Sequence, residues 1–359
     1  MRSASPAADF RVLLSGYGNA GRILHAPLVT ATPGLRLAGV VTTDAGRRAA
    51  VTSRYPDVVV GDSVENLLST RHFDLVVVAS ANVVHVDQAI AAITAGVPVV
   101  VDKPLAATAR EARELVATAH AKGVPLTVFQ NRRWDNDIRT VRHLIEQGAL
   151  GTVFRFESSH DRWNPQPQAG WREAGDPAEA GGLLYDVGAH LIDQALQMFG
   201  AARDVYAELD IRRPGAAVDD DTFVALTHES GVRSHLSISL VSAQRRPRFH
   251  VHGDRAAFVK YGFDPQEDAL AAGGTPGTEA WGTEPASAFG TVGETAAGVT
   301  AVESVPGSYQ SFYGGVVNAL RGAAEMPVDP MDAVATLEVI EAAQQSSRER
   351  RLVRTGGGA

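Results

Sequence analysis

No cysteine occurs among the 359 residues, which excludes disulfides, thiol catalysis and thiolate metal sites. An excess of positive charge is missing too. The 33 Lys and Arg against 41 Asp and Glu leave a net charge of -8, so nothing draws the chain to nucleic acid in general. A local Arg cluster or a helix N-terminus can still hold phosphate in such a protein. No apolar stretch approaches the length of a bilayer span, and Met1 to Asp9 has neither a basic start nor an apolar run. Neither a membrane segment nor a signal peptide is expected, and a cytoplasmic location follows. The histidines are dispersed and no His-Glu-x-x-His frame is present, so no metal site is expected.

The composition is that of an ordinary globular protein, 45% hydrophobic and 21% charged. The length exceeds what one core usually supports, so two domains are expected, 1–130 and 131–359, with the terminal helices free to pack back on the first. Up to Phe129 apolar runs alternate with helical patterns. Strands are expected at Phe10–Ser15, Leu35–Thr42, Val58–Val60, Leu75–Ala79, Val97–Val101 and Pro125–Phe129. Helices are expected at Ala20–Val29, Ala45–Arg54, His85–Ala95 and Thr108–Lys122. Three successive valines at Val76–Val78 suit a strand buried on both faces, which predicts an α/β, mostly parallel sheet covered by helices.

Beyond Gln130 the strands become alternating: Val153–Ser159, Asp204–Arg212, Thr222–Thr227, Arg233–Leu240, Arg248–His252 and Ala256–Lys260. They predict a C-terminal α+β domain with a large, mostly antiparallel sheet. Helices are expected at Asp137–Gln147, Leu184–Met198, Tyr309–Arg321 and Pro330–Arg348, loops and short edges at Thr283–Pro306, and a frayed tail from Arg354.

The first strand runs into Gly16-Tyr17-Gly18-Asn19-Ala20-Gly21, and a helical pattern comes next. In that context the motif predicts a Rossmann dinucleotide-binding domain, with Gly16 making the turn, Gly18 admitting the pyrophosphate and Gly21 letting helix approach strand. The second strand ends in Thr42, Thr43 and Asp44, with Arg47 and Arg48 close behind. Two hydroxyls and two guanidinium groups could hold a 2'-phosphate and favour NADP. Asp44 could instead serve NAD, and the arginines could be a solvated helix face.

Asp102-Lys103-Pro104 stands at the carboxyl end of a strand, where ligands of this architecture bind. Lys103 could hydrogen-bond a reacting hydroxyl, or be a plain loop residue. Further on, Asp186 and His190 are four apart and would share a helix face. His190 could act as base with Asp186 beside it, although a helix-packing pair would look the same.

Together the glycine motif, Asp102-Lys103-Pro104 and the Asp186/His190 pair resemble the glucose-fructose oxidoreductase / inositol dehydrogenase / MocA-like family, which commonly has Glu-Lys-Pro at the second segment. Gln130-Asn131-Arg132-Arg133-Trp134, Trp171-Arg172-Glu173 and Phe258-Val259-Lys260-Tyr261-Gly262 are similar to its NADP-dependent scyllo-inositol dehydrogenase branch. The resemblance implies hydride exchange between a nicotinamide and a secondary hydroxyl of a cyclic polyol or sugar. It implies a catalytic group of Lys103, Asp186 and His190. It implies further cofactor contacts at Ser80, Asn82, His85, Asp102, Lys103, Asn131, Trp171 and Arg172. Asp161, Arg162, Trp163, Lys260 and Tyr261 are candidates for holding the substrate, whose hydroxyls need polar partners. A homodimer or homotetramer through the C-terminal sheet is expected. Transient use of the cofactor on a sugar derivative, or a dinucleotide-sensing regulator, are the alternatives.

Overall fold

The computed structural model describes residues 8–167, 173, 175 and 179–355. Trp171 and Arg172, expected near the cofactor, lie outside the described residues. The N-terminal strands are β1 (Phe10–Ser15), β2 (Leu35–Val41), β3 (Val59–Gly61), β4 (Leu75–Val78), β5 (Val99–Asp102) and β6 (Leu126–Phe129). They pair in parallel in the order β3-β2-β1-β4-β5-β6, with the chain reversing direction of travel between β1 and β4. Helices α1 (Ala26–Ala31), α2 (Ala45–Arg54), α3 (Val64–Thr70), α4 (His85–Thr94) and α5 (Ala109–Lys122) connect them. The valines of β4 and β5 are fully buried, as strands covered on both faces must be. α5 opens on a reciprocal cap between Thr108 and Glu111 and stops at a left-handed Gly123.

After α6 (Asn136–Glu146) come β7 (Val153–Asp161), α7 (Ala189–Phe199), β8 (Ala202–Asp210), β9 (Asp221–His228), β10 (Arg233–Ser239), β11 (Phe249–Gly253) and β12 (Ala257–Lys260). The chain ends with α8 (Gln266–Ala271), β13 (Gly290–Glu294), β14 (Gly298–Val302), α9 (Gln310–Leu320), α10 (Pro330–Glu349) and β15 (Val353–Arg354). The second sheet runs β14-β13-β12-β11-β7-β10-β9-β8-β15. It is antiparallel except for the β7–β10 pair at its middle, which is parallel. Burial alternates along β9 and β10, so one face is packed under helices and the other is open. α10 returns to the first sheet's side, where Glu341 accepts the Ala109 N–H at 2.8 Å. Among the described residues no helix is long and apolar enough to cross a membrane.

Three expectations need correction. The helices expected at Ala20–Val29 and Leu184–Met198 each begin with a π-helical turn, Ala20–His25 and Leu184–Gly188, before α1 and α7 take over. In the first, Pro27 has no N–H to give the Ile23 carbonyl, so the ordinary ladder is already interrupted. The tail is not frayed at Arg354: Val353 and Arg354 pair with β8, and the Thr355 N–H donates to the Arg203 carbonyl at 3.0 Å.

Candidate active site

β1 ends against β4, and the chain turns there at Gly16 with φ +95. A Cβ on Gly16 would collide with the Ala79 carbonyl, and one on Gly21 with the Gly16 carbonyl. Those two positions admit glycine alone, because backbone fills the space. Gly18 is different. A Cβ there would meet nothing nearer than the Arg47 guanidinium, at 3.9 Å. The turn therefore has an open side next to a cation, which fits a dinucleotide's phosphates. Gln88 ties the two strands together, accepting from Ser15 Oγ at 2.8 Å and Ser80 Oγ at 2.9 Å. Tyr17 and Thr42 are buried, Asn19 and Thr43 are exposed, and Ala20 begins the π turn. Asp44 caps α2 by accepting the Arg47 N–H at 2.7 Å, and Arg48 is engaged by Asp62.

Asp102, at the end of β5, accepts the Lys103 N–H at 2.9 Å and faces His25 Nε2 at 3.5 Å. Burial alone would raise Asp102. The nearby His25, then the charges of Lys103 and His85, outweigh it and hold the carboxyl below its usual range. His85 is buried beneath the same loop, with Nδ1 2.9 Å from the Pro104 carbonyl and Nε2 3.3 Å from that of Ser80. It fastens the loop after β4 to the loop after β5. Asn82 is likewise committed, donating to the Glu179 carbonyl at 2.9 Å, and Asn131 is buried.

Lys103 reaches across to the second half of the chain. Its Nζ donates to the Asp186 carbonyl and, at 3.0 Å, to Asp186 Oδ1. Asp186 is carried by the π turn, whose start is pinned where Asp219 accepts the Leu184 N–H at 2.8 Å. His190, in the first turn of α7, is 5% exposed, and its Nδ1 is enclosed with no hydrogen-bond partner. Burial, then the charges of Lys103, Arg132 and Arg248, hold it well below the ordinary histidine value. It is neutral near pH 7 and can accept a proton.

His160 on β7 was not foreseen. Both its ring nitrogens are buried without partners, and it stacks on Phe263 at 4.3 Å. Burial, with Arg132, Arg162, Arg248 and His190, keeps it neutral as well. Arg248 is fully engaged beneath, donating to Asp137, Ser158 and Gln194. The available signal was that Ser158 and His160 are polar residues at inward positions of an alternating strand.

The candidates for holding substrate divide. Arg162 lies 5.9 Å from the Phe263 ring, at the edge of this group. Trp163 is 61% exposed and Tyr261 59% exposed, so both rings are available to a ligand. Asp161 is not available. It is buried in a two-pronged pair with Arg246, at 2.8 and 2.7 Å. Lys260 is fully buried and spends all three donors on the Tyr261 carbonyl, Glu284 and the Ala288 carbonyl. Both are structural, because a buried charge is kept only where it is paired.

Residues 10–130 match the oxidoreductase family with an NAD-binding Rossmann fold, and residues 138–259 match the GFO/IDH/MocA C-terminal domain. The Escherichia coli oxidoreductase YdgJ is 39% identical over 95% of this chain and 97% of its own length. The scyllo-inositol 2-dehydrogenase (NADP(+)) IolW of Bacillus subtilis is 34% identical over 96% of this chain and 95% of its own. A crystal structure of the Bacillus subtilis oxidoreductase yvaA superposes with a TM-score of 0.92 at 33% identity, covering 97% and 99% of the two chains.

Proposed function

The chain belongs to the GFO/IDH/MocA oxidoreductase family, and from that premise we propose that it exchanges a hydride between NADP and a secondary hydroxyl of a ring polyol or sugar, scyllo-inositol first among them. The observation that carries this reading is His190. It is enclosed and neutral, it feels the charge of Lys103, and the Lys103–Asp186 pair stands at the carboxyl end of β5 in the sheet that bears the open glycine turn.

When bound, the nicotinamide supplies or accepts the hydride. Lys103 Nζ spends two donors on Asp186 and has a third for the reacting oxygen, which it holds and polarises. Asp186 fixes that ammonium in place. In oxidation His190 takes the hydroxyl proton; in reduction it returns it. NADP is favoured over NAD because Asp44 is already committed to capping α2, while Arg47 stands beside the open side of Gly18. A cytoplasmic enzyme, assembled as a homodimer or homotetramer through the C-terminal sheet, completes the reading.

A panel of inositols and aldoses assayed with NAD and NADP side by side tests it. Oxidation of a ring polyol with NADP at the higher kcat/KM supports the reading. Activity with neither cofactor would favour a dinucleotide-sensing role. Substrate turnover without accumulating reduced cofactor would favour transient use of the nicotinamide.

A further inference from the structure

β11 alternates strictly: Phe249 and Val251 enter the core, while His250 and His252 stand on the open face. The register sets His250 directly opposite Glu157 of β7. Glu157 Oε2 lies 3.7 Å from His250 Nδ1, and Oε1 lies 3.6 Å from His252 Nε2. The two imidazole centroids are 3.8 Å apart. These separations are too long for hydrogen bonds. One ligand atom from each of the three residues lies within 4.8 Å of the other two, near enough for small side-chain movements to bring them round one cation. His252 Nε2 is enclosed and has no hydrogen-bond partner.

We propose that Glu157, His250 and His252 bind one divalent transition-metal ion on the open face of the second sheet. Two imidazoles and a carboxylate suit zinc and its neighbours, and offer too few oxygens for magnesium or calcium. A cavity of about 290 Å³ borders Glu157 and His250 and leaves room for a water as a further ligand. It is also lined by His235, which sits opposite Glu157 on β10 and is the next imidazole on this face. Arg155, whose Nη1 is 4.0 Å from Glu157 Oε1, competes for the carboxylate and turns aside when the ion enters. The site is separate from the catalytic group, because His160 and Ser158 of the same strand point to the opposite face.

The test uses untagged full-length protein stripped with a chelator, then titrated with Co2+ and with Zn2+. One equivalent per chain is expected, with the intense visible absorption of four-coordinate cobalt, and the thermal midpoint rises with zinc. His250→Gln/His252→Gln together abolish both effects, and Glu157→Gln weakens uptake at least tenfold. Each variant retains the wild-type midpoint in chelator. Lys103→Ala takes up metal like the wild type. Absence of stoichiometric uptake by the wild type overturns the proposal, as does uptake unchanged in Glu157→Gln or in the double variant.

Discussion

The two sheets put their chemistry in different places. The first is buried on both faces along its central strands, so β4 and most of β5 are apolar and the available groups lie beyond the strands' carboxyl ends: Gly16–Gly21, Ser80, Lys103. The second is covered on one face alone. Its strands carry polar groups in mid-span, His160 and Ser158 turned inward, Glu157 and His250 turned outward. A doubly covered sheet confines function to its rim; a singly covered one can carry it on either surface.

The sharpest way to break that contrast is to remove one group from each side of the site. Lys103→Ala, from the first sheet's rim, and His190→Ala, from above the second sheet, should each lower kcat by about 10²–10⁴ while circular dichroism stays unchanged. The double variant should lose little more than the worse single one, since the residues act as a unit. Next in size is stability. Leu14→Ala, buried between helices in β1, should cost about 2–5 kcal/mol in denaturant unfolding. Thr227→Ala, on the open face of β9, should stay within about 0.5 kcal/mol.

The third test is pH. His160 and His190 are held below the ordinary histidine value, so the folded chain binds fewer protons than the unfolded one below pH 6.5. Stability is therefore lost as the pH falls from 6.5 towards their folded values, by at most about 1.4 kcal/mol per pH unit for each group. His160→Gln should flatten the denaturant midpoint measured between pH 7.5 and 5. Lys103→Met removes a cation that depresses His190, so the acid limb of its residual activity should move upward in pH. Smallest is cofactor choice. Arg47→Ala should raise KM for NADP about tenfold and that for NAD by a smaller factor.

The first sheet was legible in the sequence because doubly buried strands read as uninterrupted valine, and because the glycine turn falls where β1 ends. Lys103, Asp186 and His190 could be singled out as candidates because each stands beside a recognisable local signal. The pairing of Asp161 and Lys260 could not be read from the sequence, because their partners, Arg246 and Glu284, are 85 and 24 residues away and nothing local announces them. His160 escaped notice because the expected strand ended at Ser159, one residue short of it, so its inward position was not read. β15 is two residues long, too short to show a pattern. Nor did hydrophobic spacing reveal the π turns, which widen a helix by one residue without moving the apolar face of the α-helical turns beyond them.

Those two turns give chain length a meaning of its own. Each is an α-helical turn with one residue to spare, one leading out of the glycine motif and one carrying Asp186. Deleting a single codon within 184–188 would let the helix run smoothly into α7. It would also close the wide turn that carries Asp186, changing where that residue's carboxylate and carbonyl stand relative to Lys103. A gene one triplet shorter would thus encode a better-formed helix and a worse catalyst.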